Sequence, residues 1–145
     1  MDTRSIERFL SRDEVCEAMF QGVFSRDTLP HNPRLLICNT DPSYKPGLHW
    51  IAIHVDESRR GEFFDSFGRP PNRDFEQYMN KHCSIWMYNR SQLQSLISSF
   101  CGYYCCFYCM LRCRGKNING IVNYFTKDTG FNDYIVHNFV CNKSM

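Results

Sequence analysis

The pattern of apolar and polar residues divides the chain into helical segments and short strands. Apolar residues recur about every 3.6 positions over residues 5–24, with a break near Ser11, which predicts two short helices. A proline-containing loop over residues 26–33 follows. The helical spacing returns at residues 73–81, 118–125 and 132–140.

Short apolar runs in the middle of the chain, each bounded by turn residues, predict strands. Runs at residues 34–39 and 49–55 flank the turn-rich stretch DPSYKPG, which we expect to form one wall of a substrate cleft. The second run continues through DESRRG into residues 62–65, as in a hairpin, and a further run covers residues 83–88. These elements predict an α+β fold with a central mixed β-sheet flanked by helices.

A loop at residues 89–99, which Leu93 and Leu96 are expected to anchor in the core, leads into the segment CGYYCCFYCMLR. This segment lacks proline and has glycine only at Gly102, so it predicts a buried helix that begins at Cys101. A helix N-terminus presents unpaired N–H groups and about half a positive charge, which lowers a cysteine pKa from about 8.5. Cys101 is therefore the candidate nucleophile.

Other side chains fit a site around this cysteine. Gln94 lies seven residues upstream, on a loop from which its amide can donate to an oxyanion beside the backbone N–H of Cys101. His49 is the candidate general base, and Asp65 in FFDSFG is expected to hold the second imidazole nitrogen. Gly102 is expected to leave room for a substrate backbone.

A second histidine lies on the strand that follows His49. Side chains on a strand alternate between its two faces, so His49 is expected to share a face with Ile51, while His54 points the other way with Trp50. This alternation predicts that the two histidines do not line one site. We interpret His54 as a structural or surface residue.

The composition indicates a globular protein. The chain has 145 residues, of which 43% are hydrophobic and 15% aromatic, and this favours a single domain over residues 1–145. The net charge of +2 gives no general case for nucleic-acid binding. No apolar run has the length of a membrane span or the pattern of a signal peptide, so we expect a protein with no membrane association.

Nine cysteines are present, and five crowd the segment from Cys101 to Cys113. Helical spacing there suits packing better than disulfides, which favours a reducing, intracellular compartment. A zinc site built on Cys105, Cys109 and Cys113 is the alternative. Zinc sites are typically built from paired C-x2-C motifs, and the one such spacing here, Cys106 to Cys109, has no second pair. We therefore predict no metal site.

In order and spacing, these residues resemble the cysteine proteases of the adenovirus protease (adenain) family, which share a fold with the ubiquitin-like-protein proteases. LLICNTDPSYKPGLHWIAIHV and GEFFDSFGRPP are similar to two consecutive blocks of that family, and CGYYCC is similar to its nucleophile helix. The similarity runs from about Cys16 to about Cys113. At Asp65 adenain has a glutamate, whereas the ubiquitin-like-protein proteases have an aspartate. The family distance to the cysteine selects Gln94 over Gln92.

The resemblance implies a papain-like, ubiquitin-like-protease-type architecture and a thiol endopeptidase with His49, Asp65, Gln94 and Cys101 as its catalytic residues. It also implies cleavage after glycine in viral precursor proteins, in the nucleus or cytoplasm of a host cell and in the virion. Adenain carries a cysteine at the place of Cys83 that forms a disulfide with an activating viral peptide. Here that attachment and a buried strand cysteine both stay open, and the sequence by itself requires no cofactor.

DNA is a further partner that the resemblance implies. It would bind a patch of basic side chains, although scattered surface charge explains the same residues. The residues of this patch are Arg59, Arg60, Arg69, Arg73, Arg112, Arg114 and Lys116. Two alternative functions also stay open: a peptidase that removes ubiquitin-like modifiers, and an inactive protein- or DNA-binding module of the same fold. We expect a monomer.

Overall fold

A computed structural model describes residues 1–41 and 49–143 of the chain. The helices in this part of the chain are α1 (Thr3–Ser11), α2 (Glu14–Met19), α3 (Arg73–His82), α4 (Cys101–Arg112), α5 (Ile118–Val122) and α6 (Thr129–Lys143). Asp2, Asp13, Asn72 and Asn117 cap the first three helices and α5, since each side chain accepts a hydrogen bond from a backbone N–H of the first turn. Such capping residues explain why these helices begin where they do.

A mixed sheet forms the centre of the molecule. Its strands are β1 (Val23–Ser25), β2 (Leu35–Asn39), β3 (Trp50–Val55), β4 (Arg60–Phe64) and β5 (Ile85–Tyr88). They lie side by side in the order β1-β2-β3-β4-β5. The outer pairs β1–β2 and β4–β5 are parallel, and the inner pairs are antiparallel. The predicted hairpin between the third and fourth strands is therefore present.

Helices cover both faces of the sheet. On one face Ala52 and Phe64 pack with α1, α4, α5 and α6 in the larger core. On the other face Ile51 and Ile53 pack with Phe75 of α3. Because β3 contributes to both cores, its side chains are buried on both faces, which explains why all of its residues but His54 are apolar. The expected α+β fold with a mixed sheet between helices is confirmed.

Four details differ from the sequence-based expectation. Val23–Ser25 form a strand at the end of a segment with helical spacing, because they pair with β2, which no local pattern reveals. Cys83 is the C-cap residue of α3 and is not part of the following strand. Leu93 is buried as expected, but Leu96 is exposed to solvent and anchors nothing. The last helix begins earlier and ends later than its apolar spacing indicated.

No helix in the described ranges has the length and the apolar character that crossing a bilayer requires. The expected cleft wall DPSYKPG covers residues 41–47, and all but its first residue lie outside the described residues.

Candidate active site

The thiol of Cys101 lies at the first residue of α4. Phe100, which precedes it, offers no side chain to cap the helix, so the N–H groups of the first turn are left for other acceptors. Burial alone would raise the pKa of the Cys101 thiol, but the nearby imidazole of His49 and the backbone N–H groups of Trp50 and Gly102 lower it below its usual value. The fold therefore favours a thiolate here.

His49 lies directly before β3 and Asp65 directly after β4, so the antiparallel pairing of these strands brings them together. The Nε2 atom of His49 donates to Oδ1 of Asp65 at 2.8 Å. The imidazole also stacks on the ring of Phe67, with centroids 4.9 Å apart. Asp65 thus fixes both the tautomer and the orientation of the imidazole.

The pKa of His49 is raised from 6.5 to about 9. Burial alone lowers this pKa, but the hydrogen bond to Asp65 and the interaction with Cys101 outweigh it. Since the same interaction lowers the pKa of Cys101, the pair favours a thiolate facing an imidazolium.

The ring atom left for the thiol is Nδ1, which is buried and has no hydrogen-bond partner among the described residues. The imidazole and the thiol thus influence each other's pKa, although Nδ1 and the sulfur do not meet hydrogen-bond geometry. Catalytic hydrogen bonds are often long in free enzymes and shorten when substrate binds.

Asn89 holds the segment that carries Asp65. Its Oδ1 atom accepts from the backbone N–H of Asp65 at 2.9 Å, and its Nδ2 atom donates to the carbonyl oxygen of Asp65 at 2.6 Å. The carboxylate itself also accepts from the N–H of Phe67 at 2.8 Å. The position of Asp65 is thus set from three directions.

Gln94 is buried, and its amide is fully engaged. Its Oε1 atom accepts from the hydroxyl of Ser66 at 2.5 Å. Its Nε2 atom donates to the carbonyl oxygen and to the hydroxyl of Ser98, each at 3.1 Å. The predicted oxyanion donor therefore lies on the segment that leads to Cys101, but its N–H groups are already bound within that segment.

The predicted role of Gly102 was wrong. A Cβ atom at this position would lie 3.2 Å from Cβ of Met1 and 3.5 Å from side-chain atoms of Ile6 and Trp50. The space beside Gly102 is thus filled by the protein itself. Glycine is needed for the close packing of α1 and β3 against α4, and no room is left there for a substrate.

The alternation argument is correct for His54 and wrong for His49. His54 shares with Ala52 the face of β3 that packs against α4, and Arg112 of that helix donates from Nε to Nδ1 of His54 at 3.1 Å. His49 was expected on the opposite face with Ile51, but its imidazole also faces α4, where it interacts with Cys101. The two histidines are separated by their positions at opposite ends of α4. His54 is buried, in agreement with a structural role.

Cys83 is only 6% exposed and belongs to the core beside α3. Its sulfur fills the space that a Cβ at Gly61 would occupy, and burial raises the pKa of its thiol. It is therefore a buried cap residue, and not a strand residue as expected. A disulfide to an activating peptide stays a prediction, and it would require this thiol to become accessible.

The remaining cysteines of α4 follow the packing interpretation, since Cys105, Cys106 and Cys109 are fully buried in the core. No group of three metal-binding side chains occurs within residues 1–41 and 49–143. Of the basic residues, Arg112 pairs with Glu62 at 3.3 Å and Arg114 pairs with Asp13 at 2.5 Å.

Sequence reasoning missed three residues of this site, Ser66, Asn89 and Ser98. Ser66 and Asn89 form hydrogen bonds with Gln94 and Asp65, which are distant from them in sequence. Ser98 bonds with Gln94 across a loop. One weak signal existed for Ser66, because it directly follows Asp65 in the block FFDSFG. No residue pattern distinguishes Ser98 from its neighbours Ser95 and Ser99.

No protein-family model matches the chain, and a search of curated proteins found no match. Solved structures do resemble it. The ASFV pS273R protease has a TM-score of 0.68 and 19% identity, over 94% of this chain and 66% of that protein. The central domain of the uncharacterized Lpg1148 protein from Legionella pneumophila has a TM-score of 0.60 and 12% identity, over 99% and 94% of the two chains.

ChlaDub1 from Chlamydia trachomatis is also similar, with a TM-score of 0.57 and 17% identity over 75% of this chain and 59% of that one. The chain thus spans about two thirds of the ASFV protease and less of ChlaDub1. At these identities the comparisons establish the fold. The chain shares with these structures the α+β fold that the sequence predicts, with a five-stranded mixed sheet between helices.

Proposed function

We propose that the protein is a cysteine endopeptidase. One observation carries this proposal: a thiol with a lowered pKa at a helix N-terminus lies beside an imidazole that is bound to a carboxylate at 2.8 Å. Cys101 begins α4, His49 directly precedes β3 and Asp65 directly follows β4, and the interactions of His49 with the other two residues support the proposal. The likeness of the fold to the ASFV protease supports the same interpretation.

The first half of the reaction forms a thioester. The Cys101 thiolate attacks the carbonyl carbon of a peptide bond, and the developing oxyanion is held by the N–H of Cys101 and by the Gln94 amide. The His49 imidazolium then gives its proton to the nitrogen of the leaving amine as the C–N bond breaks. Asp65 stabilises the imidazolium until that transfer.

The second half releases the acyl group. His49, now neutral, takes a proton from a water molecule, whose oxygen attacks the thioester carbon. The C–S bond breaks, the acid product leaves, and the thiolate–imidazolium pair is restored. No group other than the four named residues and water takes part in these steps.

The substrates we propose are precursor proteins cleaved after glycine, in an adenovirus-like virus or a related mobile element. The sequence resemblance to adenain supports this choice. It also motivates the proposal that a viral peptide and DNA activate the protein in the host nucleus or cytoplasm, a reducing compartment that suits nine unpaired cysteines.

The test is cleavage of a panel of candidate precursor proteins and of a ubiquitin-like conjugate, with and without DNA and released peptides. We expect wild-type protein to cut after glycine in the precursors, and Cys101→Ala to abolish cleavage while thermal unfolding is unchanged. Cys113→Ala, at the other end of the same helix, is the matched control and should stay active. Undiminished hydrolysis by Cys101→Ala would defeat the proposal.

Two other outcomes would replace the proposal. Selective turnover of the conjugate would assign the protein to the removal of ubiquitin-like modifiers. If iodoacetamide labels no cysteine at neutral pH and nothing in the panel is cut, the protein is an inactive binding module of this fold. Steep salt dependence of DNA affinity would then identify a phosphate-binding surface.

A further inference from the structure

The five residues between Gln94 and Phe100, here called the 95–99 loop, contain two apolar side chains that point into water. Leu96 is 66% exposed and Ile97 is 97% exposed, whereas Leu93, just before the loop, is buried. A bound molecule can cover both side chains without any rearrangement of the core, because they are already exposed. The loop joins the proposed oxyanion donor to the nucleophile, so it borders the proposed active site.

The same loop occupies the amide of Gln94. Both N–H groups of Nε2 have acceptors on Ser98, and Oε1 accepts from Ser66. A primary amide has two donor hydrogens, so no N–H of Gln94 is left for an oxyanion while Ser98 stays in place. The free protein therefore holds this donor in a closed arrangement.

Besides the two bonds from the Gln94 amide, Ser98 is held by bonds within its own loop. Its backbone N–H and its hydroxyl both donate to the carbonyl oxygen of Ser95, at 3.1 and 3.2 Å. The loop is joined to α6 by a long hydrogen bond of 3.4 Å from the N–H of Ser95 to Asp133. Apart from the two bonds from Gln94, few buried contacts thus oppose a movement of Ser98, and segments with few buried contacts open at low free energy.

We propose that the 95–99 loop binds the substrate through Leu96 and Ile97 and thereby releases the Gln94 amide from Ser98. The occupant is an extended segment of the protein substrate with an apolar side chain close to the scissile bond. Burial of that side chain against the loop draws Ser98 away, and the freed N–H then donates to the oxyanion. This inference rests on the proposed endopeptidase function and adds a specificity element and an induced-fit step to it.

The first test compares Ile97→Ser with Ile85→Ser, the same change at an exposed residue of β5 that is 66% exposed. The substrate is a peptide that spans a cleavage site of the best-cut precursor. We expect Ile97→Ser to lower kcat/KM roughly tenfold, chiefly through KM, because burial of an isoleucine is lost. Ile85→Ser should match wild type, and the rate of iodoacetamide labelling of Cys101 should be unchanged in both variants.

The second test is Ser98→Ala, with Ser84→Ala as the matched control on the surface. Loss of the Ser98 hydroxyl frees one N–H of Gln94, so kcat/KM should rise roughly two- to tenfold, the range that one hydrogen bond supplies. A Gln94→Ala background removes the donor, and there Ser98→Ala should have no effect. A merely structural role of Ser98 would not produce this dependence on Gln94.

The outcomes separate this inference from the proposed function. Equal kcat/KM for Ile97→Ser and Ile85→Ser, or the same effect of Ser98→Ala with and without Gln94, would overturn the role of the loop while wild-type cleavage still supported an endopeptidase. If wild type cleaves nothing and iodoacetamide does not label Cys101, the endopeptidase proposal fails and the inference fails with it.

Discussion

Two histidines at opposite ends of one strand show how the same residue type is given opposite properties. His49 precedes β3 and lies at the N-terminus of α4, whereas His54 lies near the end of β3 and contacts the last residue of α4. Burial lowers the pKa of both imidazoles. The carboxylate of Asp65 then raises the pKa of His49 to about 9, while the guanidinium of Arg112 helps to lower that of His54 to about 4.

The difference lies in the charged partner and not in the strand. At the His49 end, the imidazolium form of His49 is favoured and faces the thiol of Cys101, whose pKa is lowered. A proton can therefore pass from the thiol to the imidazole. At the His54 end, Glu62 accepts from Tyr108 at 2.5 Å and from the N–H of Ile118 at 3.0 Å, and it pairs with Arg112. That network uses its charges to hold α4, α5 and β4 together, and a neutral His54 completes it.

The largest expected effect compares glutamine replacements of the two histidines. His49→Gln removes the general base and acid, so kcat/KM should fall about a thousandfold, within the range for such groups. His54→Gln keeps an acceptor for Arg112 and lies at the other end of α4, so its kcat/KM should stay within about threefold of wild type. If both variants were equally well folded and lost similar amounts of kcat/KM, the two histidines would not have the different roles described here.

Asp65→Asn should have the next largest effect. Asparagine removes the charge that stabilises the imidazolium, and we expect kcat to fall about a hundredfold or more. In wild type, kcat/KM should decline as pH rises through about 9, where His49 loses its proton. In the variant this alkaline limb should move to lower pH, because the main cause of the raised pKa is gone.

Asp56→Asn provides the matched control for this pH profile. Asp56 acts on His54 and not on His49. Its variant should keep the alkaline limb of kcat/KM near that of wild type. An unchanged limb in Asp65→Asn would instead show that Asp65 does not set the charge of His49.

Much of this site could be predicted because its signals are local. The apolar run before Asp65 and the turn DESRRG specify a hairpin, and a hairpin necessarily brings Asp65 near His49. The absence of proline after Cys101 specifies the helix and therefore the environment of the thiol. Each of these inferences needs only neighbours in sequence and the known geometry of one element.

The features that escaped prediction depend on contacts between distant segments. The three residues of β1 gain their conformation from pairing with β2, and Gly102 is glycine because Met1 approaches it. The alternation argument failed because His49 lies outside the strand, so its face cannot be counted from Trp50. Likewise, the engagement of Gln94 by Ser98 depends on the path of a loop, which residue types do not fix.

The network at the His54 end can be tested by its effect on stability. Glu62→Gln removes the negative charge opposite Arg112. It also replaces one of the two carboxylate oxygens, each of which accepts a hydrogen bond, with an NH₂ group that cannot accept one. We expect a loss of about 3 kcal/mol in the free energy of unfolding by urea, because the largely buried guanidinium of Arg112 is left without its anionic partner. The activity per folded molecule should be unchanged. Glu57→Gln, on an exposed turn, is the control and should change stability by less than about 0.5 kcal/mol.

The smallest effect is the dependence of stability on pH at His54. Its pKa is about 4 in the folded protein and about 6.5 in the unfolded chain, so between these values the unfolded chain binds more protons and stability falls as pH falls. From pH 7 to pH 5 the loss should be about 2 kcal/mol. His49 offsets part of this loss: its pKa is about 9 in the folded protein and about 6.5 in the unfolded chain, so its stabilising contribution is complete only below about pH 6.5 and is smaller by about 1 kcal/mol at pH 7 than at pH 5. Urea unfolding at both pH values should therefore show that His54→Gln loses less free energy of unfolding between pH 7 and pH 5 than wild type does. An equal loss in both proteins would mean that the fold does not depend on a neutral imidazole beside Arg112.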